Sequence, residues 1–291
     1  MKICIVYFSG TGNTKRIIEL WTKALENNSV EYDTFNVEST DPEKLNLSIY
    51  DKVAFAYPVH AFNAPLIMLE FAKSLKPVTN EIKAFFIMVS GEYLRLNNSS
   101  GNKLKRILRR RNIILESDYH YLMPYNIIFR HTEENAFKMY DTAKKIIPHH
   151  VKDYIVDGKT HRTEKIYPLV PVLFFLRIEQ HFSKVNGRFY KVDMNKCIRC
   201  MKCADNCPVD NIHFTNGKFE FDRSCLLCTR CSFNCPKDAF TTGMMNGWRV
   251  NKPYKFEKTE NDEINKHKNF CKRSYERYYR EADEIIKSHT L

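Results

Sequence analysis

The amino-acid sequence predicts a doubly wound α/β domain with a five-stranded parallel sheet, followed by a small α+β domain and a helical C-terminal extension. Strand-like and helix-like segments alternate through the first half of the chain, whereas eight of the ten cysteines cluster in the second half. The last segment has the apolar periodicity of a helix. These observations predict four parts: 1–150, the α/β domain; 151–188, a connector; 189–245, the cysteine-rich domain; and 246–291, the extension.

Five segments of the first domain have the composition of buried strands. They are, in chain order, Lys2–Phe8, Val30–Val37, Val53–Tyr57, Ala84–Ser90 and Ile113–Met123. Helices are predicted from an apolar stripe at helical spacing after the first strand and from two later segments. The stripe is Ile17, Ile18, Trp21, Ala24 and Leu25, and the segments are Lys103–Arg111 and Thr132–Ile147. Because strands and helices alternate, we expect parallel strands with helices on both faces of the sheet.

The turn after the first predicted strand has the composition of a phosphate-binding loop. It consists of Ser9, Gly10, Thr11, Gly12, Asn13 and Thr14. Hydroxyl groups, backbone N–H groups and a helix N-terminus converge there, and together they attract anions. Lys15 occupies the position of the third glycine in a dinucleotide fingerprint, and the Gly-Lys-Ser/Thr of a P-loop is missing. The alternative is a tight turn that binds nothing.

Two further loops follow the third and fourth predicted strands, at the edge where doubly wound sheets bind their ligands. The candidate binding residues are Pro58, Val59, His60, Ala61 and Phe62 in the first loop, and Ser90, Gly91, Glu92 and Tyr93 in the second. The flat side chains of His60, Phe62 and Tyr93 can stack on an aromatic ligand. For Phe62 and Tyr93 the alternative is packing on the sheet.

Eight cysteines form two copies of the pattern C-x2-C-x2-C-x3-C-P, and the second copy begins 28 residues after the first (225 minus 197). The first copy is Cys197, Cys200, Cys203 and Cys207, and the second is Cys225, Cys228, Cys231 and Cys235. This spacing is typical of [4Fe-4S] ligands. Four-cysteine zinc sites are the alternative, but zinc requires neither the third cysteine nor the trailing proline. Disulfides are less expected because the sequence starts without an export signal.

The Ser-Gly-Thr-Gly-Asn-Thr loop, the Tyr-Pro-Val-His-Ala-Phe-Asn-Ala-Pro loop and the paired cysteine runs resemble a prokaryotic family of flavodoxin–ferredoxin fusions. In this family a flavodoxin-like FMN domain is joined to a bacterial-type ferredoxin. The resemblance extends over about residues 1–245 and implies FMN, two [4Fe-4S] clusters and electron transfer. In such ferredoxins the fourth cysteine of each run ligates the other cluster. The implied ligand sets are Cys197, Cys200, Cys203 and Cys235 for one cluster, and Cys225, Cys228, Cys231 and Cys207 for the other.

The sequence departs from this family inside the cysteine runs. Positions that are often glycine in such ferredoxins are Arg199, Met201, Leu227 and Thr229 here. Cluster ligation tolerates these residues, whereas cluster potentials and partner access depend on such surroundings.

The predicted function is cytoplasmic electron transfer between the clusters and FMN, which couples one-electron carriers to a flavin and requires no catalytic acid, base or nucleophile. One alternative is a flavin-dependent reductase of a quinone, a nitro compound or oxygen, with His60 and Tyr93 as candidate proton donors. Another is a zinc-stabilised binding module. Direct oxidation of NAD(P)H is not expected, because no nicotinamide-binding segment is recognisable.

The formal net charge of +12 at pH 7 suits an acidic redox partner. Six cations without an intervening acidic residue, Lys103, Lys105, Arg106, Arg109, Arg110 and Arg111, form either a solvated helix face or a docking patch. Nucleic acid is not expected, because no binding motif accompanies the charge. The most apolar stretch, Ile166–Leu176, contains two prolines and is too short to span a membrane.

The C-terminal extension is predicted to contain an amphipathic helix. Its apolar stripe is Ile264, Cys271, Tyr275, Tyr278, Ala282 and Ile285, with Thr259 and Asp262 as a candidate cap. We expect this helix to pack on the clusters, and Cys271 to be a buried thiol.

Overall fold

The computed structural model describes residues 1–164, 182–258 and 271–290. Its first half contains one five-stranded sheet in the order β2-β1-β3-β4-β5, in which every neighbouring pair is parallel. The strands are β1 (Lys2–Tyr7), β2 (Glu31–Asn36), β3 (Lys52–Pro58), β4 (Ile82–Ser90) and β5 (Ile113–Leu122). The predicted doubly wound sheet is therefore confirmed.

Helices cover both faces of this sheet. They are α1 (Asn13–Asn27), α2 (Leu66–Ser74), α3 (Asn102–Arg109) and α4 (Glu133–Val151), with short 3-10 turns at Leu47–Ile49 and Asn97–Ser99 and a π-helical turn at Lys152–Val156. The predicted stripe of α1 is buried with α4 against one face, while α2 and α3 cover the other. Thr132 caps α4, because its side chain accepts a hydrogen bond from the backbone N–H of Asn135. Among the described helices, none is both long and apolar enough to cross a membrane.

The small domain consists of two antiparallel strand pairs with short helices between them. Its elements are β6 (Tyr190–Val192), α5 (Lys202–Asp205), β7 (Ile212–Thr215), β8 (Lys218–Phe221), α6 (Arg230–Phe233) and β9 (Phe240–Thr242), followed by a 3-10 helix at Gly243–Trp248. β6 pairs with β9 and β7 with β8. Tyr190, Ile212 and Phe240 form its core, against which most of the cysteines pack.

The internal duplication of the cysteine runs extends to the backbone conformation. Six residues in left-handed geometry form three pairs that are 28 positions apart: Arg199 and Leu227, Met201 and Thr229, and Asp210 and Asp238, with φ between 47° and 58°. None of them is glycine, so each costs on the order of 1 kcal/mol or more. Four of the six stand at the positions where glycine is often found in the family that the sequence resembles.

The C-terminal helix α7 (Lys272–Ser288) packs on α4 and the sheet of the first domain. Cys271, Tyr275, Tyr278 and Ala282 are buried there, which confirms these four residues of the predicted stripe and the buried thiol, while Ile285 is half-buried. The expectation that this helix packs on the clusters is wrong, because its apolar face joins the core that contains Trp21. Three predicted features lie outside the described residues: Ile264, the Thr259 and Asp262 cap, and the Ile166–Leu176 stretch.

Candidate functional site

The loops after β1, β3, β4 and β5 enclose a cavity at the carboxyl edge of the sheet. All predicted residues of the three binding loops line it except Gly12 and Tyr93. The lining also includes residues that sequence analysis did not single out for this site, chiefly Tyr125, Asn126, Met245 and Trp248. Cys228 of the small domain lines it too, so both domains contribute to one cavity.

The loop between β1 and α1 presents uncompensated hydrogen-bond donors to this cavity. The N-cap residue of α1 is Gly12, at φ 102°, and it provides no side-chain cap for the first helical N–H groups. Thr14 is 1% exposed, and its Oγ1 has no hydrogen-bond partner among the described residues. A buried polar group without a partner costs about 1–3 kcal/mol. A phosphate group at this helix N-terminus would satisfy both kinds of donor.

A cation lies beside the loop although the loop itself contains none. The Nη1 atom of Arg16 is 2.8 Å from the position that a Cβ would take on Gly12. Its guanidinium group lies 4.6 Å from the ring centroid of Phe256. The loop is held from the other side, where Asn126 donates a hydrogen bond to Thr11 Oγ1 at 2.7 Å. Charge and geometry both fit an anion.

The β4 loop contributes a carboxyl group that is shielded from water. Glu92 Oε1 accepts a hydrogen bond of 2.9 Å from Asn97, and burial raises the pKa of Glu92 above its ordinary range. Burial also lowers the pKa of His60 to about 4, so its imidazole is neutral at pH 7. The cavity wall formed by the β3 and β4 loops therefore carries little charge at these two residues.

Tyr125, rather than the predicted Tyr93, forms the aromatic wall at Gly91. A Cβ on Gly91 would lie 2.3 Å from Tyr125 Cδ1, so the backbone and the ring are in close contact. Tyr93 points away, toward the rings of His120 and Tyr278 at 4.8 and 4.9 Å. The cause is α7: Arg277 donates to the Tyr93 carbonyl, and Ser274 Oγ accepts from its N–H at 3.3 Å.

The β3 loop brings His60 and Phe62 to the cavity through a tight turn. His60 and Asn63 exchange two backbone hydrogen bonds of 2.9 Å. Ala61 and Phe62 between them are left-handed, with φ of 47° and 57°. His60 and Phe62 both line the cavity, and Trp248, which is 52% exposed, adds a further ring at its rim.

Two cavities of the small domain are lined by thiols. The first contains Cys197, Cys200, Cys203 and Cys235 together with Cys231, and the second contains Cys207, Cys225, Cys228 and Cys231. Each cavity thus brings together one of the ligand sets that the resemblance implies. Backbone N–H groups donate to four of the sulfur atoms at 3.3–3.4 Å, from Arg199, Asn211, Leu227 and Ala239. Such bonds stabilise thiolate ligands.

The buried thiols need a nearby positive charge to lose their protons and act as ligands. Burial raises the pKa of Cys228 to about 12 and that of Cys203 to about 11. Without a positive partner these groups are neutral at pH 7. A cationic iron–sulfur core supplies the charge that a thiolate needs, so the donor set fits such a group.

The second thiol cavity directly adjoins the loop cavity. A Cβ on Gly10 would lie 3.1 Å from the carbonyl oxygen of Cys228 and 3.2 Å from its Cβ. Thr229 Oγ1 donates to the carbonyl of Asn126 at 3.2 Å. A side chain at position 10 would require Cys228 to shift by a few tenths of an ångström, so glycine suits this close approach.

Arg230 ties the two domains together at this contact. Its Nε donates to the Gly10 carbonyl and its Nη2 to the Ser9 carbonyl, both at 2.7 Å. Its two Nη atoms also pair with the Glu38 carboxylate at 2.6 Å, and Nη1 donates to the Asn206 carbonyl at 2.9 Å. The Arg230 and Glu38 side chains are only 16% and 17% exposed. Sequence analysis did not single out Arg230 and so missed this role.

Two family models match separate parts of this chain. A family model of a flavodoxin domain matches residues 4–111, and one of a 4Fe-4S binding domain matches residues 190–213, which include the first cysteine run. No curated protein matches this chain. Among solved structures, oxidised flavodoxin 2 from Bacillus cereus is 21% identical, with a TM-score of 0.38, and the match covers 52% of this chain and 99% of that chain.

Two further solved structures each match about half of this chain. The flavodoxin of Streptococcus pneumoniae TIGR4 is 15% identical over 52% of this chain and 100% of that chain, with a TM-score of 0.37. An NAD(P)H:quinone oxidoreductase from Methanothermobacter marburgensis is 11% identical over 52% of this chain and 96% of that chain, with a TM-score of 0.35.

Proposed function

Because this chain combines a flavodoxin domain with a 4Fe-4S ferredoxin-type domain, we propose that it carries electrons between two [4Fe-4S] clusters and one FMN. One observation carries the proposal: Cys228 lines both the second thiol cavity and the cavity of the loops at the sheet edge. A cluster held there would adjoin a flavin in the loop cavity. FMN takes one or two electrons and each cluster takes one, so together they connect carriers of different electron number.

The residues of the first domain would divide the binding of FMN among them. Ser9, Thr11 and Thr14 would hold the phosphate with the first turn of α1, because all three line the cavity and the buried Thr14 Oγ1 has no partner among the described residues. The loops after β3, β4 and β5 would enclose the ring with the aromatic side chains of Phe62 and Tyr125. Glu92, whose pKa burial raises, can hold a proton inside this cavity.

The cysteines would hold the clusters in the crossed arrangement, with Cys235 completing the first set and Cys207 the second. The two thiol cavities support this arrangement, because Cys235 lines the cavity of the first run and Cys207 lines that of the second. The chain would also exclude water and fix the distance between the second thiol cavity and the loop cavity. Gly10 and Arg230 lie at the boundary between these two cavities.

The reductase alternative receives little support from the two proton donors that sequence analysis named for it. Of its two candidate proton donors, Tyr93 lies outside the cavity and His60 is neutral at pH 7, because burial lowers its pKa to about 4. A neutral imidazole is a poor acid toward a bound substrate.

Cofactor analysis of anaerobically purified protein tests the proposal. We expect about eight irons, about eight acid-labile sulfides and one FMN per chain, all reducible by dithionite. A content of about four irons per chain would mean that the protein holds one cluster instead of two. Zinc without flavin would contradict it and favour the binding-module alternative.

The position of Tyr125 yields a prediction for flavin affinity. Gly91→Ala places a methyl group 2.3 Å from the Tyr125 ring, and overpacking of this kind costs about 1–3 kcal/mol. We therefore expect the full-length protein, stripped of flavin, to bind FMN roughly tenfold more weakly, as measured by quenching of FMN fluorescence. Gly247→Ala is the matched control, because nothing lies within 4 Å of its added methyl group. Equal affinities of the two variants would contradict the role of Tyr125.

A further inference from the structure

The eight cysteines differ in their access to solvent. Cys200 alone among them is exposed, although all eight lie within the described residues. Cys228, at the other end, is buried against Gly10. Of the two thiol cavities, the one that contains Cys200 therefore opens to the surface, whereas the other faces the flavin-binding loops. This difference gives the two proposed clusters an order, with the Cys200 cluster outermost.

The surface around Cys200 is basic with an apolar centre. It consists of Lys196, Ile198, Arg199, Cys200, Lys202 and Lys237, all exposed, and is called the Cys200 face below. Ile198 is 56% exposed beside the cysteine. The three cations of the run recur every third residue, with no Asp or Glu between positions 194 and 204. Lys196 has one weak partner, Asp193, at 3.9 Å.

The basic run at 103–111 is the competing docking patch. It ends at the amino edge of the sheet, opposite the carboxyl edge that holds the loop cavity. The Arg111 carbonyl accepts from Val78 N–H, and the Asn112 carbonyl from the N–H of Ile82, the first residue of β4. β4 has 9 residues, so roughly 25 Å of strand separates this edge from the carboxyl edge that holds the cavity. That distance exceeds the Debye length of about 8–10 Å at physiological salt.

We propose that an acidic one-electron carrier protein docks on the Cys200 face and exchanges electrons with the chain there. The inference rests on the proposed function. In the reductive direction the carrier loses one electron and the cluster of the Cys200 cavity gains it, with no proton or further reactant required. The cations would steer the acidic partner, and Ile198 would provide a desolvated contact next to the cluster. Electrons would then enter at the Cys200 cluster and reach the cavity at the sheet edge last.

Stopped-flow reduction of the loaded full-length protein tests this docking. The probe is an acidic bacterial two-cluster ferredoxin, reduced and freed of excess reductant, and the signal is flavin bleaching. We expect the second-order rate constant to fall with rising ionic strength. The triple variant Lys196→Glu, Arg199→Glu and Lys202→Glu is expected to lower it about tenfold or more at low salt. The control, Arg106→Glu, Arg109→Glu and Arg110→Glu in and just after α3, reverses the same number of charges and should change the rate constant less than about twofold.

Reduction by dithionite distinguishes a failure of the docking proposal from a failure of the proposed function. If dithionite reduces neither flavin nor clusters in the unmodified protein, the proposed function fails. If it reduces both in every variant while the Cys200-face triple reacts as fast as the unmodified protein, only the docking is overturned. A larger loss in the α3 variant would also overturn it. Should the first triple lose iron, Lys237→Glu replaces it, since it alters no residue between the cysteines, and it too must slow the reaction.

Discussion

Replacing Arg230 by methionine is expected to lower the free energy of unfolding of the loaded protein by about 3 kcal/mol. The substitution leaves the Glu38 carboxylate, 17% exposed, without its bidentate partner. It also removes charged donors from the carbonyls of Ser9 and Gly10, which belong to the proposed phosphate loop. Urea unfolding at equilibrium, followed by flavin fluorescence and by cluster absorbance, measures the loss.

A double-mutant cycle separates the ion pair from the carbonyl contacts. Glu38→Gln alone keeps the bonds to Ser9 and Gly10, and should cost less than the Arg230 variant. The double variant should recover part of the loss, because no half-buried carboxylate then stays unpaired. Arg230→Lys keeps a charge but cannot make the two-pronged contact, so we expect an intermediate value. If the free energy of unfolding of the Arg230→Met variant is within about 0.5 kcal/mol of that of the unmodified protein, the Arg230 contacts do not stabilise the fold.

The parts of this protein that sequence analysis predicted well depend on short-range patterns. β1, β3 and β4 were found because each is a largely apolar run between polar turns, and α1 because its stripe recurs at helical spacing. β2 and β5 also carry polar residues, so their sequences mark them less clearly. The duplicated cysteines were found because ligand spacing is a local property, and the left-handed pairs from Arg199 to Asp238 show how far the duplication goes. α2 was not predicted, since its segment from Leu66 carries few polar residues to mark a face.

The parts that sequence analysis missed depend on contacts between distant segments. Tyr93 was proposed for the cavity from its position after the fourth strand, but α7 draws it away through contacts with residues more than 180 positions later. Tyr125 follows the fifth strand, where the same positional rule, applied once more, would have found it. Arg230 had no such signal, because its partners Ser9, Gly10 and Glu38 are brought to it only by the docking of the two domains.

Serine substitution of the fourth cysteine in each run tests the crossed ligand sets. Cys207→Ser and Cys235→Ser form a matched pair, since they stand at equivalent positions of the duplication. In the crossed arrangement, Cys207→Ser destabilises the cluster next to the flavin-binding loops and exposes the thiols of Cys225, Cys228 and Cys231. Cys235→Ser instead exposes the thiols of the Cys200 cavity. Each variant should lose about four irons.

Alkylation of the native proteins under anaerobic conditions, read by mass spectrometry, identifies which thiols each substitution frees. The cluster-free protein sets the full extent of labelling at each cysteine. If each run ligated its own cluster, Cys207→Ser would instead free the cysteines of its own run, so the two arrangements give opposite labelling patterns. The cavities favour the crossed result, because Cys207 lines the cavity of Cys225 and Cys228, and Cys235 lines that of Cys197 and Cys200. Crossing makes each cluster depend on both halves of the small domain, so loss of either fourth cysteine should also loosen the strand pair of β6 and β9 that closes it.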